Sequence, residues 1–280
     1  MRPLSYFCPE MIKRNIPNFL TLCNLFCGCM AIVFAFGHNL IWSAYLVGIA
    51  CVFDFLDGMV ARLLNVKSEI GKQLDSLADM VSFGVVPGVI MYNLILYAQM
   101  HFYSERMLDE RNIALDQSFG LMAEPLTASI AFLIPIFSAI RLAKFNLDSR
   151  QVDSFIGLPT PANTILIASL VLITLKITDD KSVIVFNENY SFIINLYFLV
   201  PLIFISSFLL IAPLPLFALK FKNFSWQDNK IRYIFLALAL ALLIVFKFVG
   251  IPLIIILYIV LSIIYNLFIK PKNASPANYK

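Results

Sequence analysis

Asp54, Asp57, Asp75 and Asp79 are the residues best suited to chemistry in this chain. They belong to the string Asp54-x2-Asp57-Gly58-x2-Ala61-Arg62-x8-Gly71-x3-Asp75-x3-Asp79, set in segments otherwise apolar enough to be buried in lipid. A carboxylate at membrane depth costs roughly 2.5–3.5 kcal/mol on insertion scales. Four of them together need a physical use, and holding divalent cations against a phosphorylated substrate is one. At about 100° per residue, Asp54 and Asp57 stand about 60° apart on one helix, and Asp75 and Asp79 about 40° apart on the next. The connector between them, Arg62 to Gln73, is short and contains Gly71, so the two helices are expected to be antiparallel neighbours with facing carboxylates. Two pairs of hard oxygen ligands suit Mg²⁺ or Mn²⁺. Two such ions can clamp a diphosphate between attacking and leaving oxygens.

The neighbours of the aspartates fit that use. Gly58 and Ala61 lie near the Asp54/Asp57 face and leave room for a flat, bulky group, although small residues also serve close helix packing. Arg62 ends its helix at the membrane interface, where it can snorkel to headgroups or bind a phosphate. Ser82 lies one turn beyond Asp79. Cys27-x-Cys29 is not completed to a metal site by any His or further Cys and reads as packing. A cation or proton pathway is the rival reading of intramembrane carboxylates. It is disfavoured because the chain shows no internal repeat and the string falls at the interface rather than at the midplane.

The elements that must position these residues follow from composition. The chain has 280 residues, 60% of them hydrophobic and 14% charged, with a mean hydropathy of +0.85. Soluble domains carry about 25% charged residues. An all-α, polytopic membrane bundle is expected, with eight spans near 18–37, 41–62, 74–97, 124–145, 160–177, 190–212, 231–248 and 250–269. Lys247, Gly250 and Pro252 mark the turn between the last two. With the N-terminus inside, only Arg106, Arg111, Lys176, Lys181 and Lys247 of the 21 Lys and Arg residues fall outside. That bias places both termini and the aspartates on the cytoplasmic side. No basic patch marks a nucleic-acid binder. His38 and His101 are expected outside, away from the site. Residues 1–17 read as an interfacial segment turning into the membrane at Pro17, 18–230 as the core, 231–269 as two additional helices and 270–280 as a disordered tail. The acidic loop near 98–123 is assigned no chemistry. The first apolar segment shows no cleavage site and is expected to be retained.

The aspartate string resembles the signature of the CDP-alcohol phosphotransferase family, with all eight family positions present. The resemblance implies transfer of a phosphatidyl or related group from a CDP-activated donor to an alcohol, with release of CMP. Three further segments, Ile16 to Gly28, Ser138 to Asn146 and Phe155 to Ala162, are similar to the bacterial membrane-integral branch that uses CDP-diacylglycerol and L-serine. Carried over by position, the family implies that Asp54, Asp57 and Asp75 bind metal, and that Asp79 contributes as a ligand and acts as general base. It implies that Asn18, Thr21, Gly58, Ala61, Arg62 and Gly71 shape or contact the CDP site. It further implies a homodimer in the bacterial inner membrane. Serine needs a carboxylate binder, and Arg141 and Lys144, at the predicted cytoplasmic end of the fourth span, suit either that carboxylate or the lipid phosphate. Ser82, Asn146 and Thr160 are weaker candidates.

Overall fold

The computed structural model describes residues 7–66, 68–107, 126–147, 154–177, 184–186, 192–217 and 226–266. The expected tail at 270–280 and most of the acidic loop at 98–123 lie outside them. Nine α-helices account for most of the described chain: α1 (Phe7–Phe36), α2 (Leu40–Leu63), α3 (Glu69–Asp79), α4 (Val86–Met107), α5 (Leu133–Leu147), α6 (Thr160–Thr174), α7 (Leu196–Ile211), α8 (Trp226–Phe246) and α9 (Gly250–Ile264). Four three-residue strands pair antiparallel in two ribbons. In one, β1 (Ser154–Ile156) joins β4 (Pro215–Phe217), and in the other β2 (Leu175–Ile177) joins β3 (Ile184–Phe186).

Among the described residues, five segments are long and apolar enough to cross a membrane: Asn15–Phe36, Leu40–Leu63, Glu69–Met100, Leu126–Leu147 and Asn229–Ile264. The molecule is an integral membrane protein of helical architecture. The last segment is broken by a 3-10 turn at Lys247–Val249, where Lys247 takes a positive φ of 52°. Helix α9 then packs back on α8, with the Phe235 and Tyr258 rings 5.5 Å apart.

Local chemistry sets the boundaries around the aspartates. Helix α2 starts at Asn39, whose side chain accepts from the Trp42 amide, and closes where the Val66 amide reaches the Ala61 carbonyl across Asn65, a residue with a φ of 51°. Helix α3 begins only a few residues later, capped by the Ser68 hydroxyl accepting from the Gly71 amide at 3.2 Å. Gly71 therefore sits in the first turn of a helix and not in a connector, because the Ser68 cap starts α3 five residues before the expected span. Helices α3 and α4 are continuous through a π-helical turn, Met80–Val85, in which the Val86 amide reaches back to the Val81 carbonyl. Such a turn inserts one residue into the helical repeat.

Three other expectations are corrected. Helix α1 runs unbroken through Pro17, so no surface segment turns there. The missing proline N–H frees only the Lys13 carbonyl, which falls in the polar stretch Lys13-Arg14-Asn15. Helix α6 stops at Thr174, and Leu175–Ile177 are extended as β2 instead of completing a span to 177. Helix α7 begins at Leu196, six residues later than expected. At 15 and 16 residues, α6 and α7 are only about 22–24 Å long.

Helix α4 forms the centre of the core. Val86, Ile90, Met91, Leu94 and Ile95 are buried in one cluster with Ala31 and Ala35 of α1, Leu40 and Val47 of α2, Ile134 of α5, Ile167 and Val171 of α6, and Leu199 and Ile203 of α7. Helices α1, α2 and α3 pack around its leading end, where the aspartates lie.

Candidate active site

Helix spacing brings the carboxylates together. One oxygen each from Asp54, Asp57 and Asp75 lies within 4.8 Å of the other two. Asp79, one turn along α3 from Asp75, is in hydrogen-bonding contact with Asp54 and accepts from Asn24 Nδ2 at 3.4 Å. Thr21 Oγ1 donates to Asp57 Oδ2 at 2.6 Å and also reaches the Pro17 carbonyl at 3.1 Å. Asp57 is 6% exposed. Carboxylates packed this closely repel one another unless a proton or cation sits among them. The donor set fits a hard divalent ion, with only oxygen ligands, grouped at a spacing one ion can bridge. The Asn24 Oδ1 atom is buried without a hydrogen-bond partner among the described residues and adds a neutral oxygen beside the group.

A cavity of about 260 Å³ opens from Asp57 and Asp75 toward the N-terminal end of α3. Its wall is made by Pro17, Asn18 and Thr21 of α1, Asp57, Gly58 and Ala61 of α2, Val66 and Ser68 of the connector, and Gly71, Lys72 and Asp75 of α3. Helices α1 and α3 approach closely at Gly71, where a Cβ would lie 2.7 Å from Asn18 Oδ1 and displace that side chain. Arg62 is exposed and folds back along α2, so that a Cβ on Gly58 would lie 3.9 Å from its guanidinium. Of the residues expected at a CDP site, Asn18, Thr21, Gly58, Ala61 and Gly71 line this cavity, while Arg62 stands at its edge.

The remaining candidates divide. Arg141 of α5 is 8% exposed and within electrostatic reach of Asp79. Lys144 is exposed in the last turn of α5. Ser82 is fully buried in the π turn, where its hydroxyl donates to the Asn24 carbonyl at 3.0 Å. It packs so closely on Gly28 that a Cβ there would collide with its hydroxyl. That engagement makes Ser82 a helix-packing residue and not a substrate contact. Asn146 Nδ2 donates to Ser76 Oγ at 2.9 Å and ties α5 to α3. Sequence reasoning gave no role to Asn24, Ser68 or Lys72. The threefold recurrence Asn18, Thr21, Asn24 along one side of an apolar helix was the available signal for Asn24.

The fold and the site together define a polytopic helical membrane protein with a carboxylate cluster at one end of its bundle, beside a cavity of nucleotide-fragment size. The chain belongs to the CDP-alcohol phosphatidyltransferase family, whose model matches residues 14–244. Among similar proteins are three named CDP-diacylglycerol–serine O-phosphatidyltransferase. The Helicobacter pylori J99 protein is 36% identical over 162 residues, 57% of this chain and 58% of that protein. The Bacillus subtilis protein is 34% identical over 146 residues, 52% of this chain and 69% of that protein. The Methanocaldococcus jannaschii protein is 33% identical over 153 residues, 55% of this chain and 58% of that protein. The chain thus spans less than two thirds of the length of the first of these.

Proposed function

We propose that this protein transfers the phosphatidyl group of CDP-diacylglycerol to the hydroxyl of L-serine and releases CMP. The observation that carries the reading is the carboxylate cluster of Asp54, Asp57 and Asp75 opening into a cavity lined by small and polar residues. The shared name of the similar proteins supports serine as acceptor. The family uses divalent metals, and Asp54, Asp57, Asp75 and Asp79 would hold Mg²⁺ or Mn²⁺. When bound, such ions supply charge neutralisation to the diphosphate and to the departing CMP oxygen.

The chain's own residues do the rest. Thr21 holds Asp57 in one rotamer through its hydroxyl. Asn18, Gly58, Ala61 and Gly71 shape a slot for the nucleotide, and Lys72 and Arg62 offer cations to its phosphates. Asn24 and Arg141 orient Asp79. The serine Oγ forms a bond to the phosphorus that carries diacylglycerol, and the bond from that phosphorus to the CMP phosphate oxygen breaks. CMP leaves with the electron pair, and Asp79 takes the serine hydroxyl proton as the new bond forms. The Lys and Arg bias supports eight spans with both termini inside and a site facing the cytoplasm, and the family resemblance supports the bacterial inner membrane as the location.

Purified protein given CDP-diacylglycerol, labelled serine and Mn²⁺ is expected to label lipid and release CMP, and to stop when EDTA is added. Use of glycerol 3-phosphate or inositol in place of serine would overturn the acceptor while leaving the family intact.

A further inference from the structure

The π turn Met80–Val85 begins at the residue after Asp79, and side-chain hydroxyls from two sides meet it. Single π turns inside α-helices are rare and recur at functional sites. Part of the reason for this one is in the sequence. In an α-helical repeat the Phe83 carbonyl would accept from the amide of residue 87, and residue 87 is a proline. Phe83 is 0% exposed, and a buried carbonyl that has lost its amide needs another donor.

Helix α6 supplies one. Thr164 Oγ1 lies 2.9 Å from the Phe83 carbonyl oxygen and 2.9 Å from the Thr160 carbonyl oxygen of its own helix. One hydroxyl proton serves the two, and need decides between them. The Thr160 carbonyl faces the amide of residue 164 in the regular repeat of α6, whereas the Phe83 carbonyl has lost its counterpart to Pro87. Helix α1 holds the turn from another side. Ser82 Oγ donates to the Asn24 carbonyl at 3.0 Å, and the backbones approach so closely that a Cβ on Gly28 would lie 3.0 Å from Ser82 Cα. The same Asn24 donates from Nδ2 to Asp79 Oδ1 at 3.4 Å. Asn24 thus meets the turn with its main chain and the carboxylate ahead of it with its side chain. Asp79 in turn touches Asp54 of α2, so a shift of the turn is passed to the contact between the two carboxylates.

We propose that Thr164, together with Ser82, is a positioning residue for Asp79: the two hydroxyls fix the π turn between α1 and α6 and so hold the Asp79 carboxylate against Asp54. The proposal rests on the reading of Asp79 as the base. Neither Thr164 nor Ser82 lines the cavity between α1, α2 and α3. Loss of either hydroxyl therefore slows the reaction without weakening substrate binding. A reacting group misplaced by about 1 Å costs on the order of 10²-fold in rate, and removing one of several restraints costs less.

The test is steady-state kinetics on the full-length protein in lipid, read as CMP release per folded molecule. Thr164→Val keeps the volume and removes the donor. It is expected to lower kcat about tenfold, the effect of losing an outer-shell partner, and to leave KM for CDP-diacylglycerol and for serine within about twofold. Thr164→Ser keeps a hydroxyl and is expected to return kcat to within about threefold of the wild type. Placed on Asp79→Asn, Thr164→Val is expected to cost less than about twofold more, because residues that act as a unit are not additive. Ser82→Ala is expected to show the same split between kcat and KM, and it decides the matter if Thr164→Val does not accumulate folded. An unchanged kcat in these folded variants, with Asp79→Asn severely impaired, makes both hydroxyls packing contacts and overturns the proposal while the base reading stands. A full loss on top of Asp79→Asn also overturns it, since Thr164 then acts elsewhere. Full activity in Asp79→Asn overturns the base reading, and the proposal falls with it.

Discussion

The span built on α3 and α4 and the terminal hairpin of α8 and α9 are both apolar, yet they are used differently. In the first, 67% of the most apolar stretch is buried inside the protein; in the second, 6% is. The first also carries Asp75, Asp79 and the π turn. The hairpin is held by a small aromatic cluster, in which Phe217 contacts Phe235, Tyr258 and Tyr265. Both are apolar enough to span, and the hairpin is the more apolar of the two. What separates them is where polar groups sit: the buried span meets polar side chains from α1, α5 and α6, whereas the hairpin presents Leu236, Leu240, Ile244 and Ile256 outward. A helix surrounded by protein can hold charge, because its neighbours supply partners. A helix surrounded by lipid must be apolar all round.

The contrast breaks most sharply at the carboxylates. Asp57→Asn and Asp79→Asn keep shape and remove charge, and each is expected to lower kcat/KM by about 10²–10⁴-fold, measured as CMP release. Full activity in Asp79→Asn would remove it as the base. A bulky residue at Gly71 comes next. Gly71→Val would drive a side chain into Asn18 and is expected to weaken CDP-diacylglycerol binding by about tenfold or more, read by titration against thermal stability. Thr21→Val deletes the hydroxyl that orients Asp57 and should reduce activity about 10-fold to 100-fold, the usual effect of losing an outer-shell partner. The smallest effect belongs to the hairpin. Tyr258→Phe loses a 2.8 Å hydrogen bond to the Phe217 carbonyl. It is expected to cost about 1 kcal/mol of stability with no change in kcat/KM. A large activity loss there would dissolve the distinction between the two regions.

The spacing of the aspartates was legible because a 3.6-residue period converts sequence offsets directly into a face. Helix α2 was equally plain, since an apolar run bounded by Asn39 and Asn65 carries its own start and stop. Pro17 misled because a proline usually ends a helix, but here its one lost hydrogen bond falls in a polar stretch. The run Leu175–Ile177 misled because two apolar residues around Lys176 fit the end of a helix as well as a strand, and pairing with Ile184–Phe186 decided between them. The Thr164 hydroxyl could not be singled out from sequence. Isolated polar residues in apolar spans are common, and only packing shows which carbonyl each one meets.

The π turn has a consequence for how the long third span can vary. Its added residue resets the angular phase between the carboxylate-bearing half and the lipid-depth half of one continuous rod. Regularising Met80–Val85 to an ordinary repeat with every residue kept would swing Asp75 and Asp79 by about 100° relative to the buried face of α4, whereas deleting one residue would leave the two halves in phase. The turn therefore acts as an angular coupling. The membrane-embedded half can keep the packing its neighbours demand, while the reactive half is aimed separately.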